Sequence, residues 1–201
     1  MKILILFGHP AFQNSAVNKK LVEGLDEMEN VTFHDLYETY PEMDIDIDAE
    51  QELMEEHDII VFHHPMYWYS SPAIFKEWQD LVLEHGWAYG SEGNALKGKY
   101  FFSALTTGSP RAAFKKEGFQ KHRVLDFLVP FQQMADLCGM IFLPPFVIHG
   151  THIMTADDIV EGKNNYHKIL KALSKDEVHP SEALDLEYLN MLNPKSKDHA
   201  R

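Results

Sequence analysis

Three short segments of the chain carry residues able to hold a charged, flat ligand. The first, GHPAFQNSAVN (Gly8 to Asn18), ends where a helix begins. Asn14 or Ser15 is placed to cap that helix. Its first free N–H groups then face outward toward an anion, with the Ser15 and Asn18 side chains as added donors. An ordinary capped loop would read the same way, so this segment alone does not choose. It holds neither G-x-G-x-x-G nor a G-K-[ST] phosphate loop, which argues against a dinucleotide-binding Rossmann unit and against an NTPase. The second segment, HHPMYWYSSP (His63 to Pro72), sets Met66, Tyr67, Trp68 and Tyr69 between two prolines. Pro65 ends a strand, Ser70 or Ser71 can cap the next helix, and Pro72 suits its first turn. A flat conjugated ligand needs apolar ring surface beside backbone donors, and an aromatic turn offers both. The plain alternative is that these rings only cover the end of a sheet. The third segment, TTGSPR (Thr106 to Arg111), supplies two hydroxyls followed by Gly108, which combines hydrogen bonding with close backbone approach.

Each segment follows a continuous apolar run: ILILF (Ile3 to Phe7), IIVF (Ile59 to Phe62) and KYFFSAL (Lys99 to Leu105). Together with IFLPPFVI (Ile141 to Ile148), these read as strands buried on both faces. The alternating VTFHDLY (Val31 to Tyr37) suits an edge strand. Helical patterns are predicted over Ala16 to Met28, Ala49 to Glu56, Pro72 to Glu84, Val124 to Cys138 and Ala156 to Leu173. Strand and helix alternate throughout, which predicts an α/β doubly wound sandwich with a five-stranded parallel sheet. In such a sheet the three segments sit at the carboxyl ends of successive inner strands, where one flat, phosphorylated cofactor would bridge them. The domain is expected to span residues 1–174. Beyond Ser174 the pattern changes, and Leu184, Leu186, Leu189 and Leu192 predict a short amphipathic helix in a C-terminal extension, residues 175–201.

Composition narrows the function. The 201 residues are 45% apolar, enough for one well-buried domain. The net charge of −13, from 31 acidic against 18 basic residues, disfavours nucleic acid and anionic lipid. A single cysteine, Cys138, forms no internal disulfide, which fits a reducing compartment and a cytoplasmic location. It lies on an apolar helix face, where cysteine behaves as a small hydrophobe. The opening MKILILFGHPAF is broken early by Gly8, His9 and Pro10 and is expected to be a core strand and not a signal peptide. No apolar run is long enough for direct membrane insertion. Asp44, Asp46, Asp48 and Glu55 mimic a calcium loop, but Ala49 stands where that loop needs glycine. The pairs His63/His64 and His149/His152 have no cysteine or carboxylate partner at zinc spacing, so no metal site is assigned.

The combination GHPxxxxSxxN, HPMYWYSSPAIFKEWQDLVLEHGWAYG and LTTGS resembles the flavodoxin-like NAD(P)H:quinone oxidoreductases. Within them it is most similar to the bacterial ancillary subunits of glutathione-regulated potassium-efflux systems and related general stress proteins. The resemblance runs from about Met1 to Leu173. It implies strand order 2-1-3-4-5 and a homodimer with its flavin near the subunit interface. The implied cofactor is FMN, with FAD as the alternative, and NADH or NADPH is the co-substrate. The implied activity is two-electron, ping-pong hydride transfer from NAD(P)H through the flavin to a quinone-like acceptor. Carried over by position, His9, Ser15, Ala16, Val17 and Asn18 fall on the phosphate side of the flavin. Pro65, Met66, Tyr67, Trp68 and Tyr69 line its ring system, and Thr106, Thr107, Gly108 and Ser109 hold its polar edge. Two other roles stay open: a regulatory ancillary subunit of a potassium-efflux antiporter, held by that partner at the inner face of the cell membrane, and a flavodoxin-like electron carrier, suggested by the acidic charge. The sequence departs from the family where Ser109 replaces a glycine, which is expected to restrict that loop. The segment PRAAFKKEGFQKH aligns no residue, His122 included, with the tyrosine and histidine proton relay of mammalian relatives, and no catalytic acid is assigned.

Overall fold

The computed structural model describes residues 1–194. Strands β1 (Ile3–Phe7), β2 (Val31–Asp35), β3 (Ile59–Pro65) and β4 (Tyr100–Thr107) pair in parallel in the order β2-β1-β3-β4. The predicted fifth strand arrives in two pieces, β5 (Ile141–Phe142) and β6 (Phe146–His149), both paired with β4. The expected sheet of five strands is thus a sheet of six, with the order otherwise as expected. The break has a local cause. Pro144 and Pro145 have no N–H to give to the ladder, so pairing lapses after the Leu143 N–H meets Phe101 O at 2.8 Å and resumes beyond them.

Central strands without polar alternation must be covered on both faces, and they are. Leu4, Leu6, Ile60, Phe62, Phe101 and Leu105 share one buried cluster with Phe75 and Trp78 of α4 (Ala73–Val82), Met54 of α3 (Ile47–Glu55) and Phe131 of α6 (Val129–Leu137). Ile3, Ile5, Ile59, Val61, Phe102 and Ala104 face the other way onto Val17 and Leu21 of α1 (Ala16–Val22) and Tyr166, Ile169 and Leu170 of α7 (Ala156–Ser174). Short helical pieces also follow β2, as α2 (Leu36–Thr39), and precede α6, as α5 (Val124–Phe127).

Several boundaries differ from the sequence reading. α1 stops at Val22 and not Met28, because the chain turns at Gly24, whose φ of +85° only glycine adopts freely. The helix expected over Val124 to Cys138 is two helices, with Pro130 opening the second. Neither Ser70 nor Ser71 caps α4; Pro72 occupies the cap position without a side-chain bond. Asp46 of the calcium-like segment caps α3, accepting from the Ala49 N–H at 3.1 Å.

The extension is the largest correction. Among the described residues of the extension no amphipathic helix forms; they make two single 3₁₀ turns, Pro180–Ala183 and Leu189–Met191. The leucine spacing misled because only Leu189 and Leu192 are buried, while Leu184 is exposed. The segment is held by its polar groups as much as by its leucines. Asn190 accepts from the Val147 N–H at 2.8 Å and donates to the Val147 carbonyl at 3.0 Å, and the Leu189 N–H donates to Pro145 O at 2.9 Å. Residues 195–201, the end of the predicted extension, lie outside the described residues.

Candidate functional site

At the carboxyl ends of β1, β3 and β4 the chain encloses a cleft of about 800 Å³. Strand order reverses between β1 and β3, which is where an open parallel sheet leaves room for a ligand. Every site residue singled out in the sequence lines this cleft: His9 and Ser15 to Asn18 from the first loop, Pro65 to Tyr69 from the second, and Thr106 to Ser109 from the third. Although the chain carries a net charge of −13, no Asp, Glu, Lys or Arg among the described residues lines the cleft.

One end is rich in donors. Ser15 caps α1, accepting from the Asn18 N–H at 3.2 Å, and the N–H groups of Ala16 and Val17 have no partner among the described residues. α1 has only seven residues, so the hydroxyls matter more here than any helix dipole. His9 accepts the Ala11 N–H on Nδ1 at 3.1 Å, which puts its own proton on Nε2. Burial lowers the His9 pKa, only partly offset by its backbone hydrogen bond, which favours the neutral ring. Asn18 is buried and joins Ser15 to Thr106, with Nδ2 at 3.0 and 3.2 Å from their hydroxyl oxygens.

The other end is aromatic, and its backbone explains how. Tyr67 and Ser70 exchange both main-chain hydrogen bonds at 3.0 Å, closing a two-residue hairpin. Trp68 and Tyr69 fill its centre with φ of +49° and +64°, the paired left-handed conformations of a type I′ turn. Bulky residues there cost on the order of 1 kcal/mol or more each. The strained turn holds the Trp68 ring out in solvent, 94% exposed, while Tyr69 stacks on Phe127 and Tyr67 meets the edge of His9. A turn built with Asn-Gly would hold the same main-chain bonds without strain. The rings are kept here at the expense of that ease.

In the third loop a Cβ on Gly108 would lie 2.6 Å from the His152 imidazole, so glycine is what lets His152 approach. Ser109 does not restrict the loop as expected, since its φ lies outside the left-handed region. Its hydroxyl accepts from Gln120 at 3.0 Å and its carbonyl from Thr107 at 2.9 Å. His122 lies away from the cleft, against Phe127.

The structure adds Ala11, Asn14, Pro110, Phe114, Gln120, Thr151 and His152 to the lining. Thr151 and His152 follow β6, and the carboxyl-end rule applied to that strand would have found them. Phe114 and Gln120 belong to a folded loop that no local pattern announces. Three of the four paired histidines are held by hydrogen bonds within the fold: His64 donates to Pro65 O at 3.0 Å, His149 pairs with Thr107 at 3.1 Å, and His63 lies between Asn18 and Tyr166. Burial pushes the Cys138 thiol up to about 11, which leaves it inert.

Sheet order, two-sided cover and a cleft at the switch point together define a flavodoxin-type protein. Residues 1–170 match the family described as Flavodoxin-like fold, and the chain belongs to it. It is 46% identical over 148 residues to the glutathione-regulated potassium-efflux system ancillary protein KefG of Serratia proteamaculans, covering 74% of this chain and 81% of that one. The general stress protein 14 of Treponema denticola, solved in complex with FMN, is 37% identical and superposes with a TM-score of 0.82 over 86% of this chain and 99% of that one. An NADPH-quinone reductase from P. pentosaceus is 28% identical, with a TM-score of 0.76 over 84% of this chain and 96% of that one.

Proposed function

We propose that this chain is an FMN-dependent NAD(P)H oxidoreductase that reduces a quinone-like small molecule by two electrons. The observation that carries this reading is the division of one uncharged cleft into a donor-rich end and an aromatic end. A flavin mononucleotide is an anion joined to a flat ring, and the two ends of the cleft match those two parts. The FMN-bound general stress protein and the NADPH-quinone reductase support it as relatives. When bound, FMN supplies the hydride chemistry, taking two electrons from NAD(P)H and giving them to the acceptor in turn.

The protein's part is binding and shelter. Ser15, Thr106, His9 and the free N–H groups of Ala16 and Val17 would hold the phosphate, while Tyr67, Trp68 and Tyr69 would wall the ring and exclude water. Thr107, Gly108 and Ser109 would meet the polar edge of the ring, while the Thr106 hydroxyl, tied to Ser15 through Asn18, serves the phosphate. Among the described lining residues the titratable side chains are His9, Tyr67, Tyr69 and His152, so a proton for the acceptor comes from one of these or from water. The exposed apolar residues Val129 and Leu137 on α6, beside a second groove of about 450 Å³, support a homodimer.

Purified protein should be yellow, release FMN on denaturation, and oxidise NAD(P)H when a quinone is present. A colourless protein that takes up no flavin on reconstitution would sink the proposal.

A second role has its own support in the likeness to KefG. The chain would then also bind a potassium-efflux antiporter at the membrane, although no helix among the described residues is long and apolar enough to cross a membrane. Co-purification with an antiporter, and slower potassium efflux on deletion, would establish it; the absence of both would remove it.

A further inference from the structure

Behind the donor-rich end of the cleft, side chains from four elements form one row of hydrogen bonds running into the core. The phenol of Tyr166 on α7 lies 3.3 Å from Nδ1 of His63 on β3. His63 Nε2 lies 3.2 Å from Oδ1 of Asn18 on α1. Asn18 Nδ2 reaches Ser15 Oγ at 3.0 Å and Thr106 Oγ1, on β4, at 3.2 Å. Tyr166 and His63 are each 1% exposed, Asn18 2% and Thr106 4%. Sealed from bulk water, these groups have to satisfy one another.

A neutral imidazole has one donor and one acceptor nitrogen, and a side-chain amide has distinct donor and acceptor ends. Such a row can therefore carry its hydrogens in either of two directions. In one, the phenol donates to Nδ1, Nε2–H donates to Oδ1, and both Nδ2 hydrogens go to the hydroxyl oxygens. In the other, every side-chain bond is reversed and the hydroxyl hydrogens point back at Asn18.

We propose that Tyr166 sets the first direction, and that this turns the Ser15 and Thr106 hydroxyls into outward donors for the flavin phosphate, an inference that rests on the flavin reading above. The phenol has a single hydrogen, and His63 Nδ1 is its one acceptor among the described residues. Reversing the row would bring Nδ1–H onto the phenol oxygen and strand the phenol hydrogen in the core, where an unmade hydrogen bond is costly. The imidazole cannot escape the choice by charging, because burial, with His64 and His9 nearby, pushes its pKa down to about 3. Edge contacts with Phe7 and Tyr166 hold the ring in place.

Once the direction is set, the rest follows by counting lone pairs. Ser15 Oγ accepts from Asn18 Nδ2 at 3.0 Å and from the Asn18 main-chain N–H at 3.2 Å. Both its acceptor positions are taken, so its hydrogen points away from Asn18 and into the cleft. Thr106, accepting from the same amide, also keeps its hydrogen for the cleft. In the reversed row both oxygens would present lone pairs there and repel an anion. Tyr166 and His63 touch no ligand in this scheme; they are positioning residues.

The substitution Tyr166→Phe removes the hydrogen and keeps the packing. Riboflavin, which has no phosphate, separates an effect on the phosphate from general loosening. FMN affinity should fall about tenfold in Tyr166→Phe while riboflavin affinity is unchanged. Equal losses for both flavins, or none, would overturn the relay and leave the flavin reading standing. A native chain that binds neither would overturn both. NMR of the histidine-labelled native apoprotein reads the tautomer without flavin or variant: His63 should carry its proton on Nε2, and a proton on Nδ1 would overturn the proposal.

Discussion

The indole N–H of Trp78 donates to Glu50 Oε2 at 2.8 Å, placing a carboxylate against the largest side chain of the core. Tyr40 and His34 bond the other oxygen, each at 2.7 Å, so α3, α4 and the strand β2 meet at one buried charge. Burial alone would raise the Glu50 pKa, but the bonds from His34, Trp78 and Tyr40 outweigh it, and the net direction is downward. A carboxyl whose folded pKa is depressed stabilises the fold above its unfolded value and loses that contribution as pH falls through the folded one. Stability should therefore decline below about pH 4, the ordinary value for an unfolded glutamate. Glu50→Gln should cost about 2–4 kcal/mol at neutral pH, since an amide cannot accept all three bonds, and should flatten that decline. Urea unfolding of both proteins at a series of pH values checks both effects; an unchanged pH profile would contradict the assignment.

The left-handed pair Trp68 and Tyr69 predicts a trade. Replacing them together, Trp68→Asn with Tyr69→Gly, installs the residues a type I′ turn prefers and should stabilise the chain by about 1 kcal/mol. The same change removes the ring wall and should weaken flavin binding. Thermal unfolding and flavin titration on one preparation test the two halves separately.

Gly108→Ala should leave stability within about 0.5 kcal/mol of the native chain, because what the new methyl meets most closely is the movable His152 ring. Flavin or acceptor affinity should nevertheless fall, since His152 is driven from its place at the cleft. Calorimetric titration beside a denaturation curve distinguishes this from simple misfolding.

Removing the extension after Ser174 should destabilise the protein. Val178, Ala183, Tyr188, Leu189 and Leu192 are all buried, and the Arg111–Glu187 ion pair ties the segment to the third loop of the cleft. The milder Asn190→Ala should cost about 1–3 kcal/mol, by orphaning both main-chain groups of Val147. Urea midpoints of the two variants, each lower than native, give the order expected: truncation worst, Asn190→Ala between.

The parallel sheet was readable because unbroken apolar strands such as Ile3 to Phe7 admit little besides a two-sided cover, while its strand order came from the family resemblance and not from the strands themselves. The loops of the cleft were readable because turn residues mark where those strands end. What escaped were arrangements made by distance. His63 stood out in the sequence only as half of a histidine pair without partners at zinc spacing, and its place in the relay depends on Tyr166, 103 residues away. Phe114 and Gln120 reach the cleft through a loop stitched by its own main chain, with the Gln120 N–H on Ala113 O at 3.0 Å. The leucines of the extension followed helical spacing, yet Pro180 and the pull of Asn190 on Val147 left single turns instead.

The grip of Asn190 on Val147 also concerns the company the protein keeps. β6 pairs with β4 on one side, and its outer side would otherwise present main-chain donors and acceptors to any passing strand. An asparagine amide answers those groups with one residue and offers no further strand to extend. Loss of that single side chain would therefore expose a ready template for strand addition, with turbidity in concentrated solution as the visible sign.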